Sequence, residues 1–335
     1  MMTSVSKAYD VVIVGGGLVG AGLACMLGNN ARNSGFKLRV GLIEPFPPST
    51  EDFETLNQRW SLSTKPNSET NSSFKIPSLR TSTISPRSIR ALTSCGIWNK
   101  IPHNCIESVK KMYVWDEPAV NGLETLVFDA SDVGADSLAV VVENRFLRAA
   151  MFHRLAELDS EVEIIRRKVD SVNTGQGSDT WPEVVTSNLS HPHTTERNSD
   201  AIQARVLVAT DGRKSLVRDS VGLPWYSHDY NQHAVVANVA SDVPHNGIAY
   251  QRFLSTGPLA LLPVASGTLD GEPYHDRLFN VVWSTSRAEA HALKACSEHA
   301  FVTELNNALS LEGSAVDSIF RAGKEKRVQF KINEL

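Results

Sequence analysis

Two hydrophobic rhythms alternate along the chain. The run YDVVIV is a short β-branched stretch suited to a buried parallel strand, and it breaks into glycine before the apolar helical run LVGAGLACMLG. KLRVGLIEP predicts a second strand, so the chain opens as strand, glycine turn, helix, strand. RTSTISPRSIRALTSCGIW predicts a compact helix, with Ser85 as N-cap, Pro86 at the first helical position and Gly96 just past the end. KMYVWDE and LAVVVEN read as strands. NRFLRAAMFHRLAEL reads as an amphipathic helix capped by Asn144, with Phe146, Leu147, Ala150, Met151 and Leu155 on or near one face. EVEIIRR and RVLVAT are further strands. Residues 45–79 and most of the stretch from NTGQGSD to TTERNSD are rich in Pro, Ser, Thr and Asn without periodicity and read as surface loops. Alternation of this kind predicts an α/β fold.

Composition narrows the classes. At 335 residues and 41% hydrophobic content the chain can bury a real core, as two domains or one interleaved α/β body. A formal charge of −4, with basic residues scattered and no run longer than KEKR, gives no reason to invoke nucleic acid. Cys25, Cys95, Cys105 and Cys296 form no C-x-x-C and read as reduced, mostly buried thiols. No apolar stretch approaches the roughly 18 residues that span a bilayer, so any membrane contact is expected to be peripheral. The opening MMTSVSKAY carries no secretory or mitochondrial presequence pattern and, taken alone, argues for the cytosol. His191 and His193 flank Pro192 with no acid or cysteine at ligand spacing, so they read as a solvated loop and no metal site is expected. The absence of G-x-S-x-G disfavours a hydrolase.

The glycine turn carries the chemistry. Gly15, Gly17 and Gly20 form G-x-G-x-x-G, followed by Ala24. The first glycine permits the tight turn, the second leaves room for a pyrophosphate against backbone, and Gly20 with Ala24 lets helix and strand pack closely. Glu44, at the end of the second strand, is placed to accept a hydrogen bond from a ribose hydroxyl, which favours an unphosphorylated ribose. These residues predict dinucleotide binding and leave FAD and NAD both open.

ATDGRKSLVR, residues 209–218, resembles the Asp-Gly motif of the para-hydroxybenzoate hydroxylase-like flavoprotein monooxygenases, the FAD-dependent aromatic hydroxylases. RTSTISPRSIRALTSCGIW, VVENRFLRAAM, DYNQHAVVANV, QRFLSTGPLALLPV and VVWSTS are similar to the ubiquinone (coenzyme Q) biosynthesis branch of eukaryotes, in that family's order from about residue 9 to residue 286. The resemblance implies a Rossmann-like FAD-binding domain (1–108 and 140–224, with 45–79 as a surface insertion) interleaved with a smaller mixed α+β substrate domain (109–139 and 225–286). A helical remainder, 287–335, follows. It implies FAD as cofactor, with Gly15, Gly17, Gly20 and Glu44 at the ADP half. Arg80 would approach the flavin, Asn144 the phosphate or ribityl region, and Asp211 and Gly212 would close the site beside the pyrophosphate. IAYQRFLSTGPLALLPVA would form sheet strands over the flavin, with Arg252, read as an edge-strand residue, as a candidate partner for a substrate carboxylate. No catalytic side chain is implied.

The implied reaction is hydroxylation of a polyprenylated 4-hydroxybenzoate-type ring at position five through a flavin hydroperoxide. Dioxygen and electrons from a ferredoxin-type donor or NAD(P)H would be consumed, beside other ubiquinone-biosynthesis proteins, peripherally on the matrix side of the mitochondrial inner membrane. The family's further Gly-Asp motif is absent from these residues. The expectation is therefore a C-terminally truncated chain which, if it is the whole product, binds FAD weakly with little or no hydroxylation. The alternative is a noncatalytic isoform serving as an interaction or regulatory member of the biosynthetic complex. An NAD-dependent dehydrogenase is disfavoured by the Asp-Gly motif.

Overall fold

A computed structural model describes residues 7–49, 78–116, 125–174, 180–188, 199–241, 244–265, 267–269, 272–274, 276–309 and 328–329. In chain order its elements begin β1 (Lys7–Val14), α1 (Leu18–Ser34), β2 (Val40–Ile43), β3 (Thr81–Ile84), α2 (Pro86–Ser94), β4 (Ile106–Val109), β5 (Lys111–Asp116) and β6 (Leu126–Asp129). Then come β7 (Ala139–Glu143), α3 (Asn144–Glu157), β8 (Val162–Ile165), β9 (Lys168–Asn173), β10 (Glu183–Ser187), β11 (Ser199–Ala209) and α4 (Leu216–Ser220). The last are β12 (Gln232–Ala240), β13 (Ile248–Leu254), β14 (Gly257–Pro263), β15 (Gly267–Leu269), β16 (Glu272–Tyr274), β17 (Leu278–Ser286), α5 (Arg287–Ala295), α6 (Glu298–Leu309) and β18 (Val328–Gln329).

The chain divides into two units. Unit 1 comprises residues 1–56, 91–100 and 146–227 and is built on a six-stranded sheet in the order β8-β2-β1-β11-β10-β9. The four strands from β8 to β11 run parallel, and β10 and β9 are antiparallel additions. β1 has both neighbours, which is why Val12, Ile13 and Val14 are buried and why its sequence is a continuous apolar run instead of an alternation. Tyr9, Val12, Val14, Ile43, Val184 and Ala204 share one core cluster. Gly35 ends α1 in the left-handed region at φ 68, where glycine avoids a Cβ penalty.

Unit 2 comprises residues 57–90, 101–145 and 228–335. Its seven-stranded sheet has the order β18-β12-β17-β14-β13-β5-β6, and β3-β7-β4 form a separate antiparallel sheet. One face of the large sheet, with Trp115, Tyr250, Leu259 and Trp283, packs with Phe301, Leu305 and Leu309 of α6. The sequence-drawn boundaries group residues 80–90, 101–108 and 140–145 with the nucleotide segments. In the structure they fall in unit 2, because β3, β4 and β7 pair with one another. The segment after residue 287 holds α5 and α6 and also the strand β18, which pairs with β12.

Several local readings meet their counterparts. Ser85 Oγ accepts from the Ser88 N–H at the start of α2, and Gly96 follows that helix at φ 74. Phe146, Leu147, Ala150, Met151 and Leu155 of α3 are all buried. All four cysteines are free thiols; three are buried and Cys296 is half-buried. Residues 50–77 of the insertion, and His191 and His193, lie outside the described residues.

Candidate functional site

The two sequence motifs that looked farthest apart meet in unit 1. β11 lies parallel beside β1, so Thr210 follows its end where Gly15 follows the end of β1. The Thr210 N–H donates to the Val14 carbonyl at 2.8 Å, and its hydroxyl donates to the Val14 and Gly15 carbonyls, each at 2.8 Å. Gly15 adopts φ 102, and a Cβ there would lie 2.5 Å from the Thr210 carbonyl oxygen. A Cβ on Gly20 would lie 1.9 Å from the Gly15 oxygen. Both glycines are therefore required by close backbone approach.

Gly17 differs. It is the N-cap of α1 with ordinary extended backbone (φ −70, ψ −175), no side chain caps the helix, and a Cβ would meet nothing within 4 Å. Open space thus adjoins a helix N-terminus that has no acidic residue in its first turn. Such an end offers N–H groups and a partial positive charge to an anion. Gly212, at φ 89, likewise has nothing within 4 Å of a Cβ. This is a cradle of the kind a dinucleotide pyrophosphate fits.

Glu44 sits just past β2 with both carboxylate oxygens engaged. Oε2 accepts from the Gly16 N–H at 2.8 Å and Oε1 from the Phe46 N–H at 3.0 Å. Gly16 is also constrained, because a Cβ there would overlap the Glu44 side chain at 2.7 Å. Facing them is Arg148 of α3, whose Nε donates to the Gly16 carbonyl at 2.9 Å and whose Nη2 donates to the Phe46 carbonyl at 3.2 Å. Sequence reasoning missed Arg148. The available signal was a lone arginine inside FLRAAMF, a stretch otherwise buried.

Asp211 does more for the fold than its motif suggested. Its Oδ1 accepts from the Ser215 hydroxyl at 2.6 Å and its Oδ2 from the Val217 N–H at 3.2 Å, while Ser215 Oγ accepts from the Arg218 N–H. Carboxylate and hydroxyl together cap α4.

Arg80, Asn144 and Arg252 belong to unit 2. Arg80 has an exposed side chain on a tethered backbone: its N–H donates to Ser78 Oγ and its carbonyl accepts from the Asn144 N–H at 3.0 Å. Asn144 is not the N-cap expected of it. Its Oδ1 accepts from the Ser82 hydroxyl at 2.6 Å, so the side chain reaches to β3 instead of to the first turn of α3. Asn280 binds the same segment, donating to the Leu79 carbonyl and to Asn238 Oδ1 and accepting from the Thr81 hydroxyl.

Arg252 is not on an edge. β13 lies between β14 and β5, Arg252 is only 6% exposed, and Nη1 donates to the Ala308 carbonyl at 2.8 Å. It shares a row with Trp115 and Leu259, on the face that packs against α6. Its charge thus serves the C-terminal end of that helix.

Glu107, His245 and Asp276, also in unit 2, bring ligand-type atoms within 4.8 Å of one another. His245 Nδ1 accepts from the Gly247 N–H at 3.1 Å, which leaves the ring proton of the neutral imidazole on Nε2. The ring therefore has no spare lone pair for a cation. Burial, followed by repulsion from Asp276, raises the Glu107 carboxyl to about 7.

Comparisons with known proteins show the family. The family model described as FAD binding domain matches residues 69–319. The chain is similar to the ubiquinone biosynthesis monooxygenase COQ6, mitochondrial, of Homo sapiens, at 33% identity over 324 residues, covering 96% of this chain and 60% of that protein. For the Mus musculus protein of the same name the identity is 33% over 310 residues, covering 91% of this chain and 56% of that one. The chain thus spans 56–60% of the length of these curated relatives. The solved structure of p-nitrophenol 4-monooxygenase PnpA from Pseudomonas putida DLL-E4 superposes with a TM-score of 0.58 at 17% identity. It covers 98% of this chain and 68% of that one, a likeness of fold.

Proposed function

Because the chain belongs to the FAD binding domain family, we propose that it is an FAD-dependent aromatic-ring hydroxylase of ubiquinone biosynthesis, acting on a polyprenylated 4-hydroxybenzoate-type ring at position five. The observation that carries this reading is the 33% identity to the human ubiquinone biosynthesis monooxygenase across 96% of the chain. FAD, when bound, supplies the activation of dioxygen. The net reaction places one oxygen atom on the ring and releases the other as water. Its two electrons come from a ferredoxin-type donor or NAD(P)H.

The chain's own part is to hold and orient. Gly15 and Gly20 keep the turn tight, Gly17 and Gly212 leave the cradle open, and the first-turn amides of α1 face a pyrophosphate. Glu44, already oriented by two backbone N–H groups, accepts from a ribose hydroxyl with its remaining lone pairs. Asp211 acts through its backbone and through the cap of α4, and Arg80 and Asn144 are proposed as cofactor contacts on the strength of the family resemblance alone. The helix-covered setting of Arg252 favours a structural role over substrate binding.

Among the described residues no helix is long and apolar enough to cross a membrane, and the relatives are named mitochondrial. On the family resemblance we propose a peripheral position on the matrix side of the mitochondrial inner membrane, with other ubiquinone-biosynthesis proteins as partners. The test is to purify the 335-residue chain, measure bound flavin by absorbance, and supply a reductant, dioxygen and a prenylated 4-hydroxybenzoate. Weak flavin binding and, with FAD added, at most a low yield of product heavier by one oxygen are expected. Failure of the chain to bind flavin at any concentration would overturn the assignment.

A further inference from the structure

Arg148 lies in the family-like stretch VVENRFLRAAM without an assigned role, yet it holds two parts of the cradle at once. Glu44 takes the N–H groups of Gly16 and Phe46, and Arg148 takes the carbonyls of those same two residues. An anion and a cation therefore grip both sides of the glycine turn and of the turn after β2. The ion pair itself is long, 3.5 Å from Nη2 to Glu44 Oε1, with the Arg148 side chain 31% exposed, and pairs of that kind contribute little. What matters is the fork: two carbonyls met by separate nitrogens of one planar group, which a lysine ammonium cannot reproduce. The Phe152 ring, 5.1 Å from the guanidinium carbon and one helical turn further on, supports that group.

We propose that Arg148 is a positioning residue for nucleotide recognition, fixing the distance and angle between the Gly16–Gly17 turn and the Glu44 carboxylate so that an adenosine diphosphate group meets both. The inference rests on the cofactor cradle proposed above. It makes Arg148 a determinant of affinity for the adenosine half while leaving it clear of the reacting atoms.

ADP is the probe, titrated calorimetrically into the whole chain as wild type, Arg148→Lys and Arg148→Ala, with thermal unfolding followed in parallel. Arg148→Lys is expected to fold normally and bind ADP about tenfold more weakly, because one of two charge-assisted bonds is kept. Arg148→Ala is expected to lose more, and millimolar guanidinium, though not ammonium, is expected to restore part of the loss. If wild type binds ADP and both variants bind it equally well, the inference falls and the cradle stands. Weakening that merely tracks the unfolded fraction without guanidinium rescue, or loss of folding in both variants, would reduce Arg148 to a structural residue and equally overturn it. A wild-type chain that binds no ADP would overturn the cradle itself, and the inference with it.

Discussion

Replacing Gly17 and Gly20 by alanine, one at a time, separates what the glycine turn does for the cofactor from what it does for the fold. At position 17 the backbone is extended, a conformation any residue adopts, and a methyl would meet nothing within 4 Å. Alanine is a poorer N-cap than glycine by roughly 0.5 kcal/mol, and the stiffer unfolded chain returns about as much, so the net stability change is near zero. The methyl would, however, stand in the space a pyrophosphate must enter. Losing one charge-assisted backbone contact costs about 1.5–3 kcal/mol, or roughly 10- to 100-fold in FAD affinity. At position 20 the methyl would lie 1.9 Å from the Gly15 oxygen and 2.5 Å from Thr210 Oγ1, so strand and helix must separate. Overpacking of this kind costs about 3 kcal/mol or more, which lowers the melting temperature by roughly 4 °C or more in a chain of this size. Thermal unfolding without FAD, together with FAD titration by flavin fluorescence, reads both effects. Unchanged FAD affinity in Gly17→Ala would refute the cradle, and wild-type stability in Gly20→Ala would refute the close packing behind it.

Other expectations follow from the surroundings of single groups. Burial, then repulsion from Asp276, pushes the Glu107 carboxyl up to about 7 in the folded protein, against about 4.3 for an ordinary carboxyl in the unfolded chain. The folded state thus binds more protons between those values, and stability falls as pH rises through about 7. Urea denaturation should show Glu107→Gln gaining ~1–2 kcal/mol on wild type between pH 5 and pH 8, after allowance for solvent screening; parallel pH curves would contradict this. Asn280→Leu should destabilise by ~2–3 kcal/mol, because it removes three hydrogen bonds at a buried site, and Asn238→Leu added to it should recover part of that loss. A harmless single replacement would mean the segment from Leu79 to Thr81 is held by other means. Ellman's reagent at pH 8 should titrate Cys296 quickly in the native protein, while buried Cys25, whose thiol is pushed up to about 12, reacts only after unfolding.

What could be read beforehand was whatever is written locally. The β-branched run of β1, the glycine spacing and the acid after β2 each constrain a few neighbouring residues, and each stands where the spacing put it. Arg252 was misread because its environment comes from a non-local pairing, β13 beside β5 in parallel register, that no spacing within IAYQRFL reveals. Asn144 looked like a cap since Asn before an apolar helical run usually is one. Its amide instead found Ser82, a residue 62 positions away. Arg148 was passed over because a helical arginine is ordinarily solvated, and its partners, Gly16 and Phe46, are carbonyls without sequence identity of their own. The bonds by which Asp211 caps α4 are local, to Ser215 and Val217, but the Asp-Gly pattern does not announce them.

The adjacency of β1 and β11 also sets a timetable. The bond from Thr210 to Val14 joins residues 196 apart, so one edge of the central strand stays unpaired until translation has passed Ala209. At about 5–20 residues per second that interval is roughly 10–40 s, long on the scale of collapse and helix formation. Throughout it the nascent chain carries YDVVIV with one ladder of backbone groups open to any strand that arrives first. The step most exposed to misassembly is therefore the closing of the nucleotide cradle, and a holding chaperone would do most good before β11 has been made.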